Sequence, residues 1–219
     1  MSKHNSVTPK EKSDSRQALL EAAKKVFAEK GFEGATVKDL ADAAKVNVSL
    51  VSYYFGGKDG LYRECLVDFA EERVQTIVRI LKPAQSRDEF KTRIMMFGEE
   101  MIEVHLREPE LCCIIHRDIQ MLTPAIVEIF RGGFFKIFMA LVTFLKHAEE
   151  ERLISKMKDP EVSTSLVFGS LMHILQSEPH RKILGRPSIQ NKEYRNLALE
   201  QWTQFVISGL DHNRQSAKS

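Results

Sequence analysis

The sequence predicts an all-α protein of about nine helices. Three observations carry that reading. Apolar residues recur at helical spacing through nearly every assignable segment, no convincing run alternates apolar and polar residues, and Gly, Pro and capping residues stand where helices start and stop. A chain of 219 residues can bury a substantial core in one domain or two. Its formal net charge of +2 does not by itself announce a nucleic-acid partner, so a DNA-binding role needs positive charge concentrated locally. Lys3, Lys10, Lys12, Arg16, Lys24, Lys25 and Lys30 form such a concentration, partly offset by Glu11, Asp14, Glu21 and Glu29.

Residues 1–13 are polar and read as a flexible arm. From Ser15 an apolar stripe of Leu19, Ala22, Ala23, Val26 and Phe27 marks the first helix. Gly31 ends it, because glycine takes the left-handed position cheaply, and Phe32 can fold back on Phe27. Thr36 can cap a second helix through Ala44, and Asn47 a third over 48–55. A fourth begins near Asp59 and ends before Pro83. Ser86 and Glu89 have the spacing of a capping box, opening a helix to about Arg107, and Pro109 suits the first turn of the next, to about Met121. A long helix should follow from Thr123-Pro124 to about Leu153, loosened at Gly132-Gly133. Another begins at Asp159-Pro160 and reaches about Ser177; Pro179 should stop it, and a loop should run to about Gln190. The last helix spans about 192–209, and the tail from 213 to 219 should fray.

The stretch Thr36–Lys58, TVKDLADAAKVNVSLVSYYFGGK, constrains function more tightly than any other. A short helix, a tight turn and a second short helix is the order a helix-turn-helix needs to lay its second helix in a DNA major groove. Leu40, Ala41, Ala44, Val46, Val51 and Phe55 should turn inward and set the angle between the helices. Val48, Ser49, Leu50, Ser52, Tyr53 and Tyr54 should then face outward, where hydroxyls can bond bases or phosphates and aliphatic groups can meet thymine methyls. Lys58 is placed to neutralise a phosphate, and Lys38 with the amides after Thr36 to bind another.

Residues from about Arg16 to Tyr62 resemble the N-terminal domain of the TetR/AcrR family of transcriptional regulators. The matching pieces are Leu20, Ala23, Phe27 and Gly31-Phe32, then Thr36-Val37 and Leu40-Ala41, then Val46, and finally Tyr54-Phe55, Lys58 and Leu61. The resemblance implies a helix-turn-helix domain over 14–62 with its motif at 36–55, and a C-terminal ligand-binding and dimerisation bundle over 63–212. It implies DNA contacts from Thr36, Lys38, Asn47, Val48, Ser49, Leu50, Ser52, Tyr53, Tyr54 and Lys58. Two departures stand out. Lys45 occupies the turn where the family usually has glycine, and a left-handed non-glycine residue costs on the order of 1 kcal/mol. Ser52 stands where a tyrosine is common.

The C-terminal part supports two roles. Small and aliphatic residues at helical spacing suggest a two-fold interface of four helices, with Leu166, Gly169, Ser170 and Ile174 on one helix and Ala198, Trp202 and Phe205 on another. Two half-sites on DNA also call for a homodimer. Residues 90–145 are rich in Phe and Met, which can fill a core or line an adaptable apolar pocket. Candidate pocket residues are Met101, His105, His116, Arg117, Phe134, Phe138 and His173. Cys112, Cys113 and His116 have a spacing that admits metal or redox sensing, but a paired Cys-x-x-Cys is missing and no metal is expected.

Phosphate loop, nucleophile elbow and His-Glu-x-x-His motifs are all missing, so no enzyme and no cofactor is expected. The N-terminus has no apolar stretch, the three cysteines have no framework spacing, and no run reaches the length of a membrane span, which points to a cytoplasmic protein. The implied function is a homodimeric repressor that leaves its double-stranded DNA operator on binding a small apolar or amphipathic effector. An activator, or a regulator controlled by a protein partner, is the alternative on the same fold.

Overall fold

The computed structural model describes residues 9–122 and 124–211. Among them all regular structure is helical, as expected. It comprises α1 Pro9–Gly34, α2 Val37–Ala44, α3 Ser49–Phe55, α4 Lys58–Ile80, α5 Arg87–Arg107, α6 Pro109–Met121, α7 Pro124–Ile129, a π-helical turn Phe130–Phe134, α8 Phe135–Glu150, α9 Pro160–Gln176, α10 Glu178–Ile183 and α11 Lys192–Leu210. The chain divides into two compact units, Met1–Glu72 with Pro109–Gly133, and Arg73–Glu108 with Phe134–Ser219.

The first unit is built on α1. Leu19, Ala23 and Phe27 lie four apart on one stripe and are fully buried. At Gly31 the backbone turns to φ 76°, breaking the helix where the sequence places its end. Phe32 then folds back, its ring 6.2 Å from Phe27 and 4.9 Å from Tyr62. Leu40 and Ala41 of α2, Val51 and Phe55 of α3, Leu61 and Leu66 of α4, and Ile114 of α6 are buried with them.

The second unit has an apolar core of its own. Phe90, Ile94 and Phe97 of α5 pack with Leu141, Phe144 and Leu145 of α8, Val167 and Leu171 of α9, and Trp202 and Val206 of α11. Phe90 and Phe144 stack at 5.2 Å. Gly98 lets the Trp202 ring approach α5, since a Cβ there would lie 2.6 Å from a ring carbon. Asp159 caps α9 by accepting from the Val162 amide at 2.8 Å, and Asn191 caps α11 by accepting from that of Tyr194 at 2.9 Å.

Three elements differ from expectation. Helix α1 starts at Pro9, inside the segment expected to be a flexible arm. Proline suits the first helical turn, and the polar residues after it show no apolar stripe to betray a helix. Residues 1–8 of that arm, Thr123 and the tail lie outside the described residues. The long helix expected to Leu153 ends at Glu150, and its Gly132-Gly133 pair sits in the π turn that separates α7 from α8. The segment after α9 is not all loop, for Pro179 opens α10 instead of stopping a helix.

Candidate nucleic-acid interface

The α2–turn–α3 hairpin is held by local capping. The Thr36 hydroxyl accepts from the Asp39 amide at 3.0 Å, and the Asp39 carboxylate accepts from the Thr36 amide at 2.9 Å. This reciprocal capping box satisfies amides that the start of α2 leaves open. The Lys30 ammonium bonds Asp39 at 2.7 Å; with the two Thr36 donors, it holds that carboxyl well below the usual carboxylate range. Lys45 occupies the turn in the left-handed region, φ 57° and ψ 40°, as its position in place of a glycine implies. Asn47 Oδ1 accepts from both the Ser49 amide at 2.9 Å and the Ser49 hydroxyl at 2.7 Å, and so starts α3.

That scaffold aims two faces of α3 in opposite directions. Val51 and Phe55 are buried. Ser49 and Ser52 are exposed, Val48 is 48 % and Tyr53 65 % accessible, and Leu50 and Tyr54 are half-buried on the flank. The Tyr53 and Tyr54 rings meet edge to face at 5.0 Å, which limits their freedom without covering Tyr53. Thr36 and Lys38 are exposed at the start of α2. Left-handed Gly56 closes α3 by donating to the Ser52 carbonyl at 3.0 Å.

Lys58 departs from the phosphate role expected of it. Its ammonium donates to the Phe32 carbonyl at 2.9 Å and the Ala35 carbonyl at 3.1 Å, and lies 4.4 Å from the Phe32 ring centre. The reason lies in the capping box. The Thr36 amide bonds Asp39, so it cannot continue the helix to Phe32, and Lys58 supplies the donor that the Phe32 carbonyl lacks. Gly60 is a further positioning residue that sequence patterning missed: a Cβ there would lie 1.8 Å from the Phe55 carbonyl oxygen, so α3 and α4 can meet only without a side chain.

Arg117, expected near an effector, instead ties α6 to the end of α1. Its guanidinium donates to the Phe27 carbonyl at 2.9 Å, the Ala28 carbonyl at 3.0 Å and the Asp118 carboxylate at 2.7 Å. The buried Asp118 carboxylate also accepts from the Tyr62 hydroxyl, and burial together with that bond raises the phenol pKa far above its ordinary value. His116 lies with Arg117 in the first unit, whereas Met101, His105, Phe134, Phe138 and His173 belong to the second. The seven candidates therefore do not form one site within either unit. In the second unit Met101 and Phe134 pack against the apolar core, and His173 is exposed. Half-buried His105 bonds the Met101 carbonyl through Nδ1 at 2.7 Å, and burial lowers its pKa.

Cys112 is buried and Cys113 exposed. Among the described residues no three His, Cys, Asp or Glu side chains gather to hold a metal. Burial drives the Cys65 thiol up to about 12.

The proposed interface residues also separate. Leu166 (67 % accessible), Gly169 and Phe205 (65 %) are exposed, and with Ser170 they line an open groove of about 420 Å³ between α9 and α11. Trp202 and Ala198 are buried, correcting their placement on an interface; Trp202 packs toward Phe97 and donates to the Ser170 hydroxyl at 3.0 Å. Ile174 is half-buried.

A three-helix head with an outward second motif helix defines a helix-turn-helix DNA-binding protein. Residues 19–65 match the family model described as "Bacterial regulatory proteins, tetR family". The chain is 22% identical over 173 residues to the "Probable HTH-type transcriptional regulator YttP" of Bacillus subtilis, covering 79% of this chain and 83% of that one. It is 32% identical over 96 residues to the "HTH-type transcriptional repressor KstR2" of Mycolicibacterium smegmatis, covering 44% and 47% of the two chains. The transcriptional regulator FadR from Bacillus subtilis, solved in complex with stearoyl-CoA, has the same fold, with TM-score 0.68 at 13% identity over 88% of this chain and 98% of that one. The family-model match spans the helix-turn-helix region, and YttP and KstR2 are themselves described as an HTH-type transcriptional regulator and repressor. Among the described residues, no helix is long and apolar enough to cross a membrane.

Proposed function

We propose that the protein is a homodimeric repressor that sets α3 of each copy in successive major grooves of a duplex operator and leaves the DNA when an effector binds the second unit. The observation that carries this reading is the exposed face of α3, with Val48, Ser49, Ser52 and Tyr53 uncovered beside the cations Lys38 and Lys45. The exposed apolar groove between α9 and α11 supports pairing through that face, because burying Leu166 and Phe205 against a second copy removes apolar surface from water. Repression accords with the description of KstR2 as a transcriptional repressor. An amphipathic effector accords with the Phe- and Met-rich sequence of residues 90–145 and with the stearoyl-CoA of the structural neighbour. An effector releases DNA only by binding the non-DNA-binding arrangement better.

The test is a mobility-shift titration with a duplex selected from genomic fragments by the full-length protein. Binding should weaken steeply as salt rises, since lysine–phosphate contacts release counterions. Replacing Phe205 and Leu166 together by arginine should yield a monomer by light scattering and abolish the shift. A dimer that persists would place the interface elsewhere. Stearoyl-CoA is the first effector to titrate against the shifted complex.

A further inference from the structure

From the chemistry of the exposed α3 face we infer that base discrimination by this helix rests on contacts with thymine methyl groups, made chiefly by Val48, with the exposed Tyr53 ring further along the helix. The inference depends on α3 entering the major groove, as proposed above. In that groove guanine is usually read by arginine or lysine, adenine by a two-point contact from asparagine or glutamine, and thymine by apolar contact with its 5-methyl group. Helix α3, SLVSYYF, carries no arginine, lysine, asparagine or glutamine. The adjacent cations Lys38 and Lys45 belong to α2 and its C-cap. Asn47, just before the helix, has its Oδ1 filled by two hydrogen bonds from Ser49, so it cannot make the two-point contact with adenine and keeps only its Nδ2 donors, which fit the acceptors of several bases.

The remaining hydroxyls discriminate poorly. Ser52 and Tyr53 can each donate or accept, so they fit several base edges. Ser49 spends its proton on Asn47 and is left as an acceptor, which suits the exocyclic amine of either adenine or cytosine. What distinguishes one base pair from the others on this face is therefore apolar surface. Val48 is 48 % accessible and stands at the leading end of α3, and Val48 and Ser52 are one helical turn apart. Their geometry places an aliphatic group beside a hydroxyl, matching a thymine methyl beside the O4 acceptor of the same base.

The experiment uses a duplex recovered by selection from a random pool with the full-length protein. It is then resynthesised with deoxyuridine in place of each thymine inside the footprint, a change that removes only methyl groups. Each buried methyl is worth roughly a fourfold change in affinity, so two half-sites should together lose at least about tenfold. The difference between the thymine and uracil duplexes should shrink severalfold in Val48→Ala, whose side chain is too exposed to disturb folding. Equal binding of the two duplexes by the unaltered protein would overturn the inference while leaving the regulator reading intact. So would a difference that Val48→Ala leaves unchanged. Failure to enrich any duplex would overturn both.

Discussion

Each unit has its own apolar core, and the two differ in where their long-range polar bonds fall. Around the DNA-reading head, long-range polar clamps join helices at chosen points: Lys58 on the Phe32 and Ala35 carbonyls, Arg117 on those of Phe27 and Ala28, and Tyr62 on Asp118. In the second unit an apolar core of Phe90, Ile94, Phe97, Leu141, Phe144, Leu171, Trp202 and Val206 is joined by fewer such bonds, chiefly Arg73 to Glu100 and Trp202 to Ser170. Hydrogen bonds have direction, so they fix the angles among α1, α4 and α6, the helices that flank α3 in this unit. Apolar contact has little direction and tolerates repacking. The difference teaches that directional bonds gather where the helices around α3 cross.

Substitutions that strike each kind of support should sharpen the contrast. Phe97→Ala should be most damaging, costing about 3–5 kcal/mol in urea denaturation through lost transfer energy and a residual cavity. Asp118→Ala should follow at roughly 2–4 kcal/mol, since it strands the buried Tyr62 hydroxyl and removes a partner of Arg117. A loss under about 1 kcal/mol would show that the polar clamp adds little to the head. Gly60→Ala forces α4 away from the Phe55 carbonyl and should cost about 1–3 kcal/mol. It should also weaken mobility shift more than its stability loss explains, because the angle of α3 changes. In the opposite direction, Lys45→Gly should raise stability by about 0.5–1 kcal/mol by relieving a left-handed non-glycine turn.

The smallest effect concerns pH in the second unit. His105 has a folded pKa below its ordinary 6.5, set chiefly by burial. The unfolded chain therefore takes up the proton first as pH falls. The contribution of His105 to stability is full above about pH 6.5 and declines as pH falls through the unfolded value toward the folded one. Melting temperatures measured from pH 8 to pH 5 should decline over that window, and His105→Gln should flatten the decline. An equal decline in the variant would assign the acid sensitivity to other groups.

Short-range signals were legible in the chain. Thr36 and Asn47 reveal their caps because donor and acceptor lie two or three residues apart. Gly31 reveals its turn because backbone conformation is local, whereas Lys45 carries no turn signal of its own and was placed only by the family resemblance. Lys58 and Arg117 were misplaced because their partners are distant, 23 and 26 residues away for the first and 89 and 90 for the second. A cation on a helix looks the same in sequence whether it meets solvent, phosphate or a carbonyl. Trp202 shows the matching difficulty for apolar residues: α11 offers both Trp202 and Phe205, and only packing against Gly98 and Phe97 decides that the indole turns inward. Gly60 and Gly98 left no signal, since a glycine within a helix does not announce the neighbour that needs its space.

By itself, the sequence determined the helical class, the reading motif and the caps that begin its two helices, because each follows from periodicity or from bonds spanning a single turn. Tertiary structure alone decided which cations serve the protein's own carbonyls, which apolar side chains stay exposed on α9 and α11, and where α3 must meet α4 without a side chain. Those outcomes depend on segments far apart in the chain coming together, and pairwise approach is not encoded in any one segment.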